Sequence, residues 1–248
     1  MMDIRYFDTL ESTNNYCKLL DPNTVGEFTV ICAHSQTAGI GQQGNVWVSE
    51  PRKNLTFSII LKPTFLKAND QYLLTMALAL AVAESIESML SAIRSESSVQ
   101  IKWPNDIYIG NKKICGILTT NQISGDIISH SICGIGLNVN QTAFPEWVPN
   151  PTSLKLETKV DFQPETVLQI LLENIEKEYT NLKNNNSGIL QQRYLERLYR
   201  MGIESDFLYQ EERIRATITG VNHFGHLQLT TSSGEHLSCG MKEIQFVI

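Results

Sequence analysis

Four strand-like runs follow one another closely in one part of the chain: Val99–Trp103, Ile107–Ile109, Ile114–Thr119 and Asp126–Asn138. Only a few residues separate each from the next. A parallel crossover needs a dozen or more residues, so these runs predict antiparallel hairpins. Gly110-Asn111 is the turn signal between the second and third runs. This stretch commits the middle of the chain to an antiparallel sheet, and the other elements have to pack around it.

The surrounding patterns complete an α+β plan. Strand-like runs at Ile4–Phe7, Phe28–Ala33 and Asn54–Lys62 alternate with a helical run at Asn14–Leu20 and an Ala- and Leu-rich helix at Asp70–Leu90. Pro145, Pro149 and Pro151 mark an irregular connection. Pro164 suits the first turn of a helix. Leu168, Leu171, Ile175, Tyr179 and Leu182 then recur at helical spacing. Asn184-Asn185-Asn186-Ser187-Gly188 interrupts that helix, and Leu190, Tyr194 and Leu198 mark another. The composition shifts near Met201-Gly202. Short strands at Ile214–Thr219, His226–Thr230, Glu235–Ser238 and Ile244–Ile248, with turns at Asn222–Gly225 and Ser232–Gly234, predict a small compact barrel. The expected domains are residues 1–200 and 201–248.

Composition narrows the function classes. The 248 residues are 42% hydrophobic and 19% charged, with a formal net charge of −6. No basic block appears, which argues against nucleic acid as a partner. The five cysteines include no C-x-x-C pair and mostly sit in apolar runs, which predicts reduced buried thiols in a cytoplasmic protein. The N-terminus lacks the apolar core of a signal peptide. The longest apolar stretch, Leu73–Ala83, is short for a membrane span of ~20 residues and reads as a buried helix, so no membrane partner is expected. His223-x-x-His226 has no evident third ligand and reads as a surface hairpin. Nothing resembles a hydrolase triad.

The chemistry-bearing groups gather on the hairpins. Lys102-Trp103-Pro104-Asn105-Asp106 and Lys113-Ile114-Cys115-Gly116-Ile117-Leu118 bring together two lysines, an Asn–Asp pair and a glycine that allows close approach. Such a group suits a phosphate, a metal and a small ligand. Taken alone, it suits an ordinary hairpin with solvated lysines equally well. Three further blocks change that balance. Glu11-Ser12-Thr13-Asn14-Asn15 follows the first strand. A Gly-rich loop from His34 to Trp47 follows the second. Cys133-Gly134-Ile135-Gly136-Leu137-Asn138 ends a later strand.

These four blocks, in this order and over nearly the whole chain, resemble a biotin–protein ligase. The most specific part is KWPND followed by KxxGIL. The resemblance implies a catalytic α+β domain with a mixed or antiparallel sheet and a C-terminal SH3-like barrel. It implies ATP and Mg²⁺, a biotinyl-AMP intermediate, and transfer of biotin to a lysine of a biotin carboxyl carrier protein. A homodimer is compatible with it. The first motif strand starts at Ile4, so the helix-turn-helix of two-function members is not expected.

The implied roles fall residue by residue. Lys113 would contact the ligand carboxylate and the α-phosphate. Lys102, Asn105 and Asp106 would form the nucleotide end of the catalytic group, with Asp106 a hard-oxygen contact for Mg²⁺, directly or through water. Ser12, Thr13, Asn14 and Gln36 would surround the biotin ring, although Ser12 and Thr13 also read as helix caps. Gly39, Ile40, Gly41 and Gln42 would close over biotin, and Gly116 and Gly134 would offer bare backbone. Gln43, Gly44, Trp47 and Asn138 would lie near the nucleotide, with Trp47 also readable as an ordinary core tryptophan.

The glycine loop departs from the family pattern. Gly39-Ile40-Gly41-Gln42-Gln43-Gly44 carries Ile40 where the family has an arginine, and Gln42 and Gln43 bring no charge. Arg52 and Lys53 are the nearest cations in sequence. Two other readings compete: a lipoate–protein ligase, disfavoured by the KWPND block, and a non-catalytic biotin or nucleotide sensor, supported only by the missing arginine.

Overall fold

The computed structural model describes residues 2–93 and 98–248, and the side chain of Gln43 lies outside that description. Strands β1 (Asp3–Leu10), β2 (Thr29–Gln36) and β3 (Leu55–Leu61) are followed by the hairpin run. That run comprises β4 (Val99–Lys102), β5 (Asp106–Ile109), β6 (Lys112–Ser124) and β7 (Ile127–Leu137). Together they form one seven-stranded sheet in the order β1-β2-β3-β7-β6-β5-β4. Only β1 and β2 pair in parallel. β4 to β7 pair as successive antiparallel hairpins, as their spacing requires.

Helix α1 (Thr13–Lys18) follows β1, and α2 (Gln71–Ala92) follows β3. At 22 residues, α2 is long and apolar enough to cross a membrane by length and composition, although the apolar run Leu73–Ala83 alone is not. The helix extends that run at both ends. Its residues from Tyr72 to Leu90 are instead mostly buried in the protein core, on several sides of the helix. They share one cluster with Phe57 and Ile59 of β3 and with Leu168, Leu171 and Ile175 of a later helix. Ser85 is fully buried and returns its hydroxyl to the Ala81 carbonyl at 2.7 Å, so it adds no unpaired polar group.

The irregular connection marked by prolines ends in a short helix that the pattern reading did not anticipate, α3 (Leu154–Thr158), capped by the Ser153 hydroxyl. Then come α4 (Pro164–Lys183), with Pro164 in its first turn, and α5 (Ser187–Glu196), which starts inside the predicted break. Glu178 is fully buried. Arg193 of α5 bonds both Glu178 of α4, at 2.9 Å, and Glu84 of α2, at 2.5 Å. A buried carboxylate needs such a partner, and here the pairing ties three helices together.

The last segment forms a second, five-stranded antiparallel sheet in the order β11-β10-β9-β8-β12. Its strands are β8 (Glu204–Tyr209), β9 (Glu212–Val221), β10 (Leu227–Thr231), β11 (His236–Cys239) and β12 (Ile244–Phe246). β8 was not expected, because it buries only Phe207 and shows no clean alternation. This sheet leans on the hairpin run. The Trp103 indole donates to the Gly225 carbonyl at 2.9 Å, and Gly225, at φ 86°, rests against the Tyr72 ring. A Cβ at Gly225 would lie 2.5 Å from Tyr72 Cγ, so only glycine fits. His223 faces Asp70 at 3.3 Å, and the described residues hold no group of three candidate metal ligands.

All five cysteines are free and buried. Burial pushes the thiols of Cys17, Cys32 and Cys133 up to about 12 and Cys239 to about 11, and raises Cys115 as well. Reactive thiolate is therefore scarce at pH 8. A thiol-labelling reagent at that pH should mark the native protein slowly and all five cysteines after unfolding. Rapid labelling of Cys115 in the native state would contradict the packing described.

Candidate functional site

The position of Lys113 depends on one irregularity. Asp106 pairs with Gly116 across β5 and β6, so both face the same side of the sheet. Lys113 lies three residues before Gly116, and a regular strand would turn it to the opposite side. A bulge between Ile107 and Tyr108 restores it: Ile107 pairs with Cys115, Tyr108 pairs with Lys113, and Ile114 is the extra residue. Ile114 is fully buried in the core. The Lys113 ammonium lies 2.7 Å from the Asp106 carboxylate, with both side chains mostly shielded. The segment after β7 fixes the backbone here: Lys113 N–H donates to Asn150 O at 2.7 Å, and Thr152 N–H donates to Lys113 O at 2.9 Å.

Beside this pair the sheet surface is bare. Gly116 of β6 faces Gly136 of β7. The indole of Trp47 lies over both: a Cβ at Gly136 would stand 2.6 Å from Trp47 Nε1, and one at Gly116 would stand 3.3 Å from Trp47 Cζ3. Gly136 was missed in the sequence, although two glycines spaced by two on a strand must face one side. Trp47 closes a small hairpin. Ile40 bridges Val46, Gly41 N–H donates to Asn45 O at 2.6 Å, and Trp47 N–H donates to Gly39 O at 2.9 Å. Gln42–Gly44 form a 3-10 turn at its tip.

The opposite wall is polar. Ser12 caps α1, accepting from Asn15 N–H at 3.4 Å, while Thr13 starts the helix rather than capping it. Gln36 accepts from Thr13 N–H at 2.7 Å, and Ser58 donates to the Thr13 hydroxyl at 2.8 Å. The Asn14 amide fills the space above Gly134, so bare backbone is not open there. Asn105 is buried, and its amide donates to the Ile117 carbonyl.

These walls enclose about 680 Å³, part of it open to solvent, lined by Ser12, Thr13, Asn14, Gln36, Ile40, Gly41, Gln42, Trp47, Asn105, Asp106, Lys113, Gly116 and Gly134. A second, more apolar cavity of about 820 Å³ adjoins it, lined by Trp47, Lys113, Asn138, Phe144, Trp147 and Val148 among others. Lys113 lines both. The sequence reading missed Phe144 and Trp147, which sit in a connection with no strand or helix pattern. Four buried side-chain polar atoms lack a partner among the described residues. Three of them, Asn14 Oδ1, Trp47 Nε1 and Asn138 Oδ1, belong to residues lining these cavities. Native proteins rarely leave such atoms unpaired, and ligand sites are where they are expected.

Several expected residues stand apart. Gly39 lies behind Trp47, exposed Gly44 is at the loop tip, and Gln43's side chain lies outside the described residues. Lys102 lines neither cavity; its ammonium lies over the Tyr108 and Phe246 rings, 5.4 and 4.7 Å from their centroids. Arg52 turns away and bonds Asp8 at 2.7 Å, and exposed Lys53 lines neither cavity, so neither brings charge to the glycine loop.

Gly136→Ala tests the Trp47 seat. The added methyl should displace the indole, shift tryptophan emission to the red and cost roughly 1–3 kcal/mol of stability. Unchanged emission would mean that Trp47 does not rest on this glycine.

Comparison with known proteins agrees with this geometry. Residues 6–138 match the model of the biotin/lipoate A/B protein ligase family. The bifunctional ligase/repressor BirA of Bacillus subtilis is 33% identical over 237 residues, covering 92% of this chain and 70% of that protein. A biotin–[acetyl-CoA-carboxylase] ligase of Paracoccus denitrificans is 29% identical over 197 residues, covering 77% and 79%. The biotin protein ligase of Aquifex aeolicus, solved with biotin and ATP, superposes with a TM-score of 0.82 at 26% identity, each chain fully covered. The bulge-set lysine, the glycine floor and these relatives lead to one assignment: the chain belongs to the biotin/lipoate A/B protein ligase family, in its biotin–protein ligase branch.

Proposed function

We propose that the protein activates biotin with ATP and transfers it to a lysine of a biotin carboxyl carrier protein. One observation carries this reading: Lys113 lines both cavities at their junction. In it, the polar-walled cavity takes the biotin ring, with Ser12, Asn14 and Gln36 toward the ureido group. The Phe144–Trp147 cavity takes the adenine, against flat apolar side chains. The biotin carboxylate and the α-phosphate then meet at the Lys113 ammonium.

A carboxylate oxygen forms the new bond to the α-phosphorus, and the bond from that phosphorus to the β-phosphate oxygen breaks, releasing pyrophosphate. Two anions approach each other in this step. A fixed ammonium in a shielded site lowers its barrier without reorganising. Asp106 holds that ammonium in place. It is the sole carboxylate among the described residues lining the first cavity, and it would meet the nucleotide's Mg²⁺ directly or through water. The carrier amine next forms an amide with the biotin carbonyl carbon, AMP leaves, and the amine loses a proton. Trp47 and the Ile40–Val46 hairpin shield the anhydride from water.

Of the two activities in the name of the Bacillus subtilis relative, ligase and repressor, these residues support the ligase. We further propose that residues 1–200 form the catalytic domain and that 201–248 form an SH3-like barrel, supported by five short antiparallel strands. Five free buried thiols support a reducing, cytoplasmic setting.

Incubation with biotin, MgATP and a biotin carboxyl carrier domain should add one biotin mass to the carrier. A carrier of unchanged mass, with biotin and ATP both bound, would favour a sensor instead. Lys113→Ala should slow biotinyl-AMP formation by ~10²–10³-fold with little change in melting temperature. Full single-turnover adenylation in that variant would remove Lys113 from the chemistry.

A further inference from the structure

The turn that carries Asn105 and Asp106 is held from outside its own sheet. It joins β4 to β5, and its proline has no N–H to give. Among the described residues no backbone N–H donates to the Pro104 carbonyl. Two phenols reach it instead. Tyr72, in the first turn of α2, and Tyr194, in the last turn of α5, each place Oη 3.3 Å from Pro104 O. The two hydroxyl oxygens are 2.9 Å apart, and both side chains are buried.

Hydroxyls in an apolar core are costly unless bonded, and phenylalanine would fill the same space. These two converge on one backbone oxygen, two residues before Asp106. Two protons serve three oxygens. Whichever hydroxyl donates to the other, one proton remains for the carbonyl, and either tyrosine can supply it. The rings themselves are fixed. They meet edge to face at 6.1 Å, Gly225 rests on the Tyr72 ring, and Arg193 ties α5 to Glu84 of α2. The neighbours of Pro104 are tied as well: the Trp103 indole donates to Gly225 O, and Ile117 N–H donates to Asn105 O at 3.1 Å. Directly after this turn, Asp106 meets Lys113 at 2.7 Å.

We propose that Tyr72 and Tyr194 are positioning residues for biotin activation: through the Pro104 carbonyl they fix the turn that presents Asn105 and Asp106, and with Asp106 the Lys113 ammonium. This rests on the ligase reading. Neither phenol lines either cavity, so the pair acts on the reaction only through the turn. A shift of the Asp106 carboxylate moves the point at which the ammonium meets the two anions, and small misplacements of this kind are costly to rate. One donor suffices for one carbonyl, so the two tyrosines act as a unit.

The test compares the full-length wild type with Tyr72→Phe, Tyr194→Phe and the double variant. Amide hydrogen exchange at residues 103–106 is followed beside single-turnover biotinyl-AMP formation and biotin binding. Each single variant should lose ~2–3-fold in rate and the double variant ~30-fold or more, well beyond the product of the singles. In the double variant exchange should rise at the turn and not in α2 or α5, and biotin affinity should hold throughout. A double variant whose loss is only the product of the singles overturns the proposal. So does one with wild-type exchange at the turn, and so does a joint fall in rate and biotin affinity with exchange rising through α2 and α5, which would assign the pair to packing. Should the double variant not fold, the ¹³C resonance of the Pro104 carbonyl decides. Both single variants should keep it at the wild-type position, downfield as for a bonded carbonyl, and an upfield move in either overturns the shared role. If the wild type forms no biotinyl-AMP while the exchange pattern holds, the ligase reading falls and the tyrosine pair still fixes the turn.

Discussion

One extra residue in β6 decides which face of the sheet carries Lys113. Side chains alternate along a strand, so a lysine three positions before Gly116 belongs on the core side. There its ammonium would be buried beside Ile101 and Ile107, at a steep desolvation cost. The bulge places Ile114 in the core instead and turns Lys113 toward Asp106. The backbone on either side is pinned, by β5 on one edge and by Asn150 and Thr152 on the other. Charge placement here is set by strand register, and side-chain flexibility contributes little to it.

The second constraint is a lack of side chains. Gly116 and Gly136 leave a flat strip of peptide on which the Trp47 ring lies. The indole is also the end of the loop hairpin, so the loop's position and the glycine strip depend on each other. A ligand entering the first cavity meets a wall already ordered by Ser12, Thr13, Gln36 and Ser58, and a cover that rests on backbone. This division of labour is common in binding sites: polar recognition on one side, an apolar cover on the other.

Much of this was legible in the sequence. The short gaps between Val99 and Asn138 required hairpins, and the helical spacing from Leu168 to Leu182 placed α4. Ser12, Asn14, Gln36, Asp106 and Lys113 do converge on one cavity. Three features were not legible, for physical reasons. The bulge has no residue signature, because Ile114 is as apolar as any strand residue. The Phe144–Trp147 wall lies in a proline-rich connection without period. Tyr199 reaches Tyr108 and Asn111 of the hairpin run from a turn next to the second sheet, and no local pattern reports a contact so distant in sequence. Arg52, close in sequence to the glycine loop, is committed to Asp8 instead. Sequence proximity was a poor guide to where charge is delivered.

Helix α2 has a consequence for how the protein is made. Apart from a few polar positions, it is buried nearly end to end. The β4–β7 hairpins and α4, which cover it, all follow it in the chain. A ribosome therefore releases this segment before most of its partners exist. Until they arrive it is an apolar cylinder of membrane-spanning length, and the hydrophobic effect does not distinguish among a half-built core, a bilayer and another nascent chain. The core around α2 is therefore complete only once the C-terminal half of the catalytic sheet and its helices have been made.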